Sequence, residues 1–174
     1  LRPPVRLALM PVTTDDATLV EWQLGRMPRG RWRVVSRCSY GWPTVVETAP
    51  RLEDGTAFPT LYYLTCPHLV ATVSRTESEG HTAEWRARLG ADPDLAARLR
   101  EADAAYRRLR AVRAGCDDPC GDVGIAGQRD PLGVKCLHAH VAGALAGIDD
   151  PIGVGILAAV VRECDEDRCG RERP

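Results

Sequence analysis

No run of about 18 apolar residues occurs anywhere in this 174-residue sequence, so no bilayer-spanning helix is expected. Lysine is nearly missing: Lys135 stands alone, and arginine supplies the rest of the 23 basic residues. With 24 acidic residues the net charge is -1, which gives no global field to draw the chain onto nucleic acid or an anionic membrane. Several familiar motifs are absent as well: the Gly-x-x-x-x-Gly-Lys-Ser/Thr phosphate loop, the Rossmann glycine fingerprint, His-Glu-x-x-His and Gly-x-Ser-x-Gly. The first apolar stretch, Leu7 to Val12, is too short for the core of a secretory signal. A cytoplasmic location, with no membrane partner and no nucleic-acid partner, is therefore expected.

What is present fits a globular chain. Apolar residues make up 44% and charged residues 27%, a composition that supports a real hydrophobic core. Residues 1–13, with Pro3, Pro4 and Pro11, read as a loose leader, residues 14–163 as one domain, and residues 164–174 as a polar tail. Thr14 or Asp15 begins a helix to about Leu24. Arg31–Arg37, Thr44–Thr48 and Thr60–Thr65 read as strands, with a turn at Glu53-Asp54-Gly55-Thr56. After Cys66-Pro67 the period becomes helical: Leu69, Val70 and Val73 form a stripe that Gly80 ends. A second helix is predicted over Thr82–Leu89. A long one starts at Asp92-Pro93, with Leu95, Leu99, Ala102, Tyr106 and Leu109 facing a core. Ala114–Asp130 reads as a loop, Val134–Leu145 as the most apolar helix, and Ile156–Val161 as the last. The fold class is α+β: a small, mainly antiparallel sheet in the N-terminal half, packed against helices of the C-terminal half.

Seven cysteines carry the chemical signal. Seven is odd, and a reducing compartment disfavours disulfides, so metal ligation or thiol chemistry is the reading. In Lys135-Cys136-Leu137-His138-Ala139-His140, a helix running through the segment puts Cys136 and His140 about 40° apart on one face. His138 then falls on the opposite face and serves as a substitute. Cys38 sits where the first strand leaves the sheet. Cys66 sits at a strand-to-helix junction, where backbone N–H groups and the helix dipole stabilise a thiolate. The predicted ligand set is Cys38, Cys66, Cys136 and His140, with His138, Cys164 and Cys169 as substitutes. Each of these residues also has a plain structural reading, as a small core cysteine or a histidine bonded to a carbonyl. Three thiolates and an imidazole suit zinc, and the same set or four thiolates suits an iron–sulfur cluster. Spacing does not choose between them. Cys116 and Cys120 are the weakest candidates.

The same segments resemble the bacterial DUF501 family. The resemblance rests on Gln23-Leu24-Gly25-Arg26 with Pro28-Arg29, on Arg37-Cys38-Ser39-Tyr40-Gly41 with Pro43, and on Phe58-Pro59-Thr60-Leu61-Tyr62-Tyr63-Leu64-Thr65-Cys66-Pro67. It continues in Lys135-Cys136-Leu137-His138 and in Gly147-Ile148-Asp149-Asp150-Pro151-Ile152-Gly153, and it covers about residues 18 to 160. A family of unknown function implies no reaction, so the functional expectations come from the residues. The first is a metal- or cluster-dependent protein acting on a small anionic molecule, with Arg37, Lys135, Arg26 and Arg51 as anion-binding candidates. The second is a non-catalytic module in which structural zinc fastens sheet to helices and a protein partner binds an exposed face. The third is a thiol redox protein using Cys66. Asp149 and Asp150 offer general-base or metal chemistry, and read first as caps of the helix that follows Pro151.

Overall fold

Local chain chemistry sets the element boundaries in the computed structural model, which describes residues 14–172. The predicted leader and the last two residues of the tail lie outside the described residues. Helix α1, Thr14–Leu24, carries Asp15 and Asp16 in its first turn, where negative charge favours the helix dipole. Three antiparallel strands follow in the order β1-β2-β3: Trp32–Arg37, Pro43–Thr48 and Tyr62–Leu64. Every residue of the central strand β2 is buried, because α1 covers one face and the main core the other. The period of two divides them cleanly. Val46 joins Val20 and Trp32 beneath α1, while its neighbour Val45 joins Leu61, Tyr62 and Leu64 in the main core.

Helix α2, Pro67–Ser78, opens with proline at its first position and stops before Gly80, whose φ of 93° is left-handed. Helices α3 (His81–Ala91) and α4 (Pro93–Ala114) are separated by Asp92, whose carboxylate caps α4 by accepting from the N–H groups of Asp94 and Leu95. The apolar stripe predicted on α4 is buried at Leu95, Leu99, Ala102 and Tyr106. The chain is thus α+β, with its small sheet in the N-terminal half.

One buried cation was not visible in the sequence. The Arg110 side chain is 0% exposed. It donates to both Asp118 carboxylate oxygens at 2.7 Å, to the Pro59 carbonyl at 2.8 Å and to the Val123 carbonyl. A buried charge is tolerated only when paired and fully hydrogen-bonded. Here it ties the Ala114–Asp130 segment, which includes a 3-10 turn at Ile125–Gly127, to the sheet connection at Pro59.

Helix α5 spans Leu137–Leu145 rather than starting at Val134. Cys136 is its N-cap residue, extended at φ -143° and ψ 111°. Helix α6, Pro151–Ala159, by contrast begins earlier than the predicted Ile156. Asp150 caps it by accepting from Ile152 and Gly153 N–H, as read from the sequence, whereas Asp149 pairs with Arg98 at 3.4 Å on the surface. Gly153 brings α5 and α6 together, since a Cβ there would collide with the His140 carbonyl oxygen. The tail forms one more short helix, α7, Arg168–Glu172, with Cys169 buried.

Candidate metal centre

The late start of α5 decides which side chains meet. A residue at the N-cap does not follow the helical screw, so the one-face pairing of Cys136 with His140 does not apply. Cys136 instead turns toward His138, and Glu77 from the last turn of α2 joins them. Among the described residues, these three are the only group of three or more Cys, His, Asp or Glu whose ligand atoms all lie within 4.8 Å of one another. His138 Nδ1 is 3.9 Å from Cys136 Sγ and 3.3 Å from Glu77 Oε1.

The hydrogen-bond pattern fixes the ring. His138 Nε2 lies 3.2 Å from the Val70 carbonyl oxygen, which can only accept, so Nε2 carries a proton and donates. Ser74 Oγ is also 3.2 Å from Nε2. Nδ1 therefore faces the thiol and the carboxylate. An imidazole lone pair, a sulfur and a carboxylate oxygen converge on one point. Glu77 Oε1 additionally accepts from Leu137 N–H at 2.6 Å, which caps α5 from a neighbouring helix.

Three electron-pair donors in one place repel one another unless a cation sits among them. In the metal-free chain that cation is a proton. The hydrogen bond with Cys136, aided by the charge of Glu77 and the Val70 carbonyl, outweighs burial and pushes the His138 pKa up to about 9. Burial pushes the Cys136 thiol up. The hydrogen bond from His138, the Ala139 N–H and the positive ring together overcome burial and leave the thiol below its ordinary value. The site is half-buried: the His138 side chain is 23% exposed and that of Glu77 28%.

The remaining candidates are dispersed. His140 is 1% exposed and its Nδ1 donates to Asp150 Oδ2 at 2.7 Å, so it belongs to the α5–α6 packing and not to the Cys136 group. Its substitute, His138, is the histidine at Cys136. Cys38 and Cys66 stand elsewhere; burial pushes the Cys66 thiol up, and Cys169 and Cys38 lie close enough to add to the rise once ionised. A thiol raised in this way is a poor nucleophile, which runs against redox chemistry at Cys66. Cys116 is exposed, and all seven cysteines are free thiols.

The anion-binding candidates are scattered as well. Arg37 is taken by Asp16 at 2.9 Å and the Gly41 carbonyl, Arg51 by the Gly55 carbonyl at 3.1 Å, and Arg26 by the Met27 carbonyl and the Tyr63 ring. Lys135 is exposed beside Cys136. Glu77 was missed because no local pattern singles out an acidic residue in the last turn of a helix. Only the packing of α2 on α5 brings it to Cys136.

Among the described residues, no helix is long and apolar enough to cross a membrane. No curated protein and no solved structure matches the chain. Residues 34–158 match the family described as Protein of unknown function (DUF501). That span includes Glu77, Cys136 and His138, and it makes up most of the sequence, so the chain belongs to the DUF501 family.

Proposed function

We propose that this protein binds one divalent transition-metal ion between Glu77, Cys136 and His138, and that the ion is zinc. The observation that carries the reading is the convergence of a thiol, an imidazole nitrogen and a carboxylate oxygen, all within 4.8 Å of one another. Mixed sulfur, nitrogen and oxygen donors suit zinc, and a site with only three protein ligands keeps a fourth position for water or substrate. The Val70 carbonyl and Ser74 hydroxyl on His138 Nε2 are the outer partners that orient a ligating histidine. Partial exposure leaves that position open toward solvent, with Lys135 next in the chain. The ligand that fits there is a small anion, and the site is then one at which a bound water or anion is polarised by the metal. A cytoplasmic setting suits the seven free cysteines, which a reducing compartment preserves.

The test is zinc titration against a competing chelator, combined with alkylation mapped by peptide mass. Wild type is expected to bind one zinc more per chain than Cys136→Ser or His138→Ala, and zinc is expected to shield the Cys136 peptide from iodoacetamide. Equal zinc binding by all three proteins, with Cys136 alkylated at the same rate with and without zinc, overturns the reading.

A further inference from the structure

The polar tail is bound to the first hairpin and to the start of α2 by contacts from several separate residues. The His68 ring bonds the Val161 carbonyl at 2.9 Å. Ser39 bonds the Glu163 carboxylate through both its N–H and its hydroxyl. Tyr40 donates to the Cys164 carbonyl, and Trp42 Nε1 donates to Asp167. Gln23 Nε2 bridges the Pro43 carbonyl, at 2.9 Å, and Cys169 Sγ, at 3.5 Å.

These contacts bring four thiols to one end of the sheet. Cys38 lies in the same turn as Ser39 and Tyr40. Cys66 caps α2 two residues before His68. Cys164 and Cys169 come with the tail. Cys66 feels the charges of Cys169 and Cys38, and Cys169 feels those of Cys38 and Cys164. Cys66 and Cys169 are buried and the other two partly so.

We infer that Cys38, Cys66, Cys164 and Cys169 hold a [4Fe–4S] cluster that fastens the C-terminal tail to the sheet. Four thiolates are the ligand set such clusters take. With Zn–S near 2.3 Å, a tetrahedral zinc needs its sulfurs about 3.8 Å apart, yet among the described residues no three of these thiols lie within 4.8 Å of one another. A cubane places its own iron–sulfur edges between the cysteines and so holds them farther apart. The Cys169 sulfur also has an N–H partner, Gln23 Nε2 at 3.5 Å. Hydrogen bonds of that kind tune cluster sulfurs. With all four irons ligated by protein, the centre is closed, and its role is to clamp the tail. The inference is independent of the zinc site, which uses none of these residues.

The experiment is anaerobic purification of the full chain and of Cys66→Ser, Cys169→Ser and Cys136→Ser, with iron, sulfide and zinc assayed beside the absorption spectrum. Wild type and Cys136→Ser are expected to be brown with about four iron and four sulfide per chain, and the other two variants to lose most of both. Hydrogen exchange over residues 161–172 gives a second readout: the tail should exchange faster in Cys169→Ser, while α4 stays protected. Three results overturn the inference. They are a colourless wild type that takes up no iron on reconstitution, a zinc ion in place of iron, and full iron retention in both Cys66→Ser and Cys169→Ser.

Discussion

His138 and His140 stand two residues apart on one helix and do opposite work. His140 points into the core, where its Nδ1–H meets the Asp150 carboxylate and its Nε2 is buried without a hydrogen-bond partner. A neutral ring leaves only a lone pair there, which costs less than an orphaned N–H. Asp150 spends its other oxygen on Ile152 and Gly153, so one carboxylate caps α6 and locks it to α5. His138 has the reverse arrangement. Its Nε2 is anchored, its Nδ1 is aimed at two further donors, and its edge reaches solvent. The fully buried pair closes on itself and leaves one unpartnered lone pair at His140 Nε2, whereas the half-buried trio turns its donor atoms toward one another at a solvent-reached edge. Burial and the number of ligand-type atoms that meet at one ring nitrogen separate the two histidines on this helix.

Asp150→Ala should break the architectural half of the contrast with the largest effect. It removes a cap worth about 1 kcal/mol and strands a buried histidine. A loss of about 2 to 4 kcal/mol in urea unfolding is expected, the cap plus the cost of an unpaired buried polar group. A loss below about 1 kcal/mol would mean that the α5–α6 lock is not made by this pair. His138→Ala tests the other half. Its stability change should stay within about 1 kcal/mol, as for other partly exposed positions, while zinc affinity falls at least 100-fold, or about 2.8 kcal/mol. The contrast fails if His138→Ala unfolds the protein while Asp150→Ala does not.

The sequence made the architecture legible wherever its signal is local. Asp92-Pro93 marks the start of α4 and the spacing of Leu95, Leu99 and Tyr106 its inner face; Asp150-Pro151 marks the cap of α6. Cys136 was legible as a candidate ligand, but the histidine beside it depended on whether the helix begins at Val134 or Leu137. A shift of three residues exchanges His140 for His138. Glu77 was not legible, because its role arises only from the packing of α2 on α5. Arg110 was hidden for a related reason: on a helix rich in arginine, nothing local distinguishes the one that Asp118 and Pro59 enclose.

Two smaller changes sharpen the picture of the trio. Glu77→Gln keeps an oxygen that can accept from Leu137 N–H, so the α5 cap should survive, with stability altered by about 0.5 kcal/mol or less. The lost negative charge should weaken zinc by about 10- to 100-fold, measured by chelator competition. Unchanged affinity would reduce Glu77 to a cap for α5 and leave the metal with two protein ligands.

Ser74→Ala is expected to have the smallest effect. Ser74 touches only the Nε2 edge of His138, at 3.2 Å, and the Val70 carbonyl at the same distance still holds the tautomer. Outer partners of ligating histidines contribute about 10- to 100-fold to metal affinity. With the carbonyl retained, Ser74→Ala should lie at or below the bottom of that range, about tenfold or less by the same competition assay. A loss as large as that of His138→Ala would show that the hydroxyl, and not the Val70 carbonyl, orients the ring.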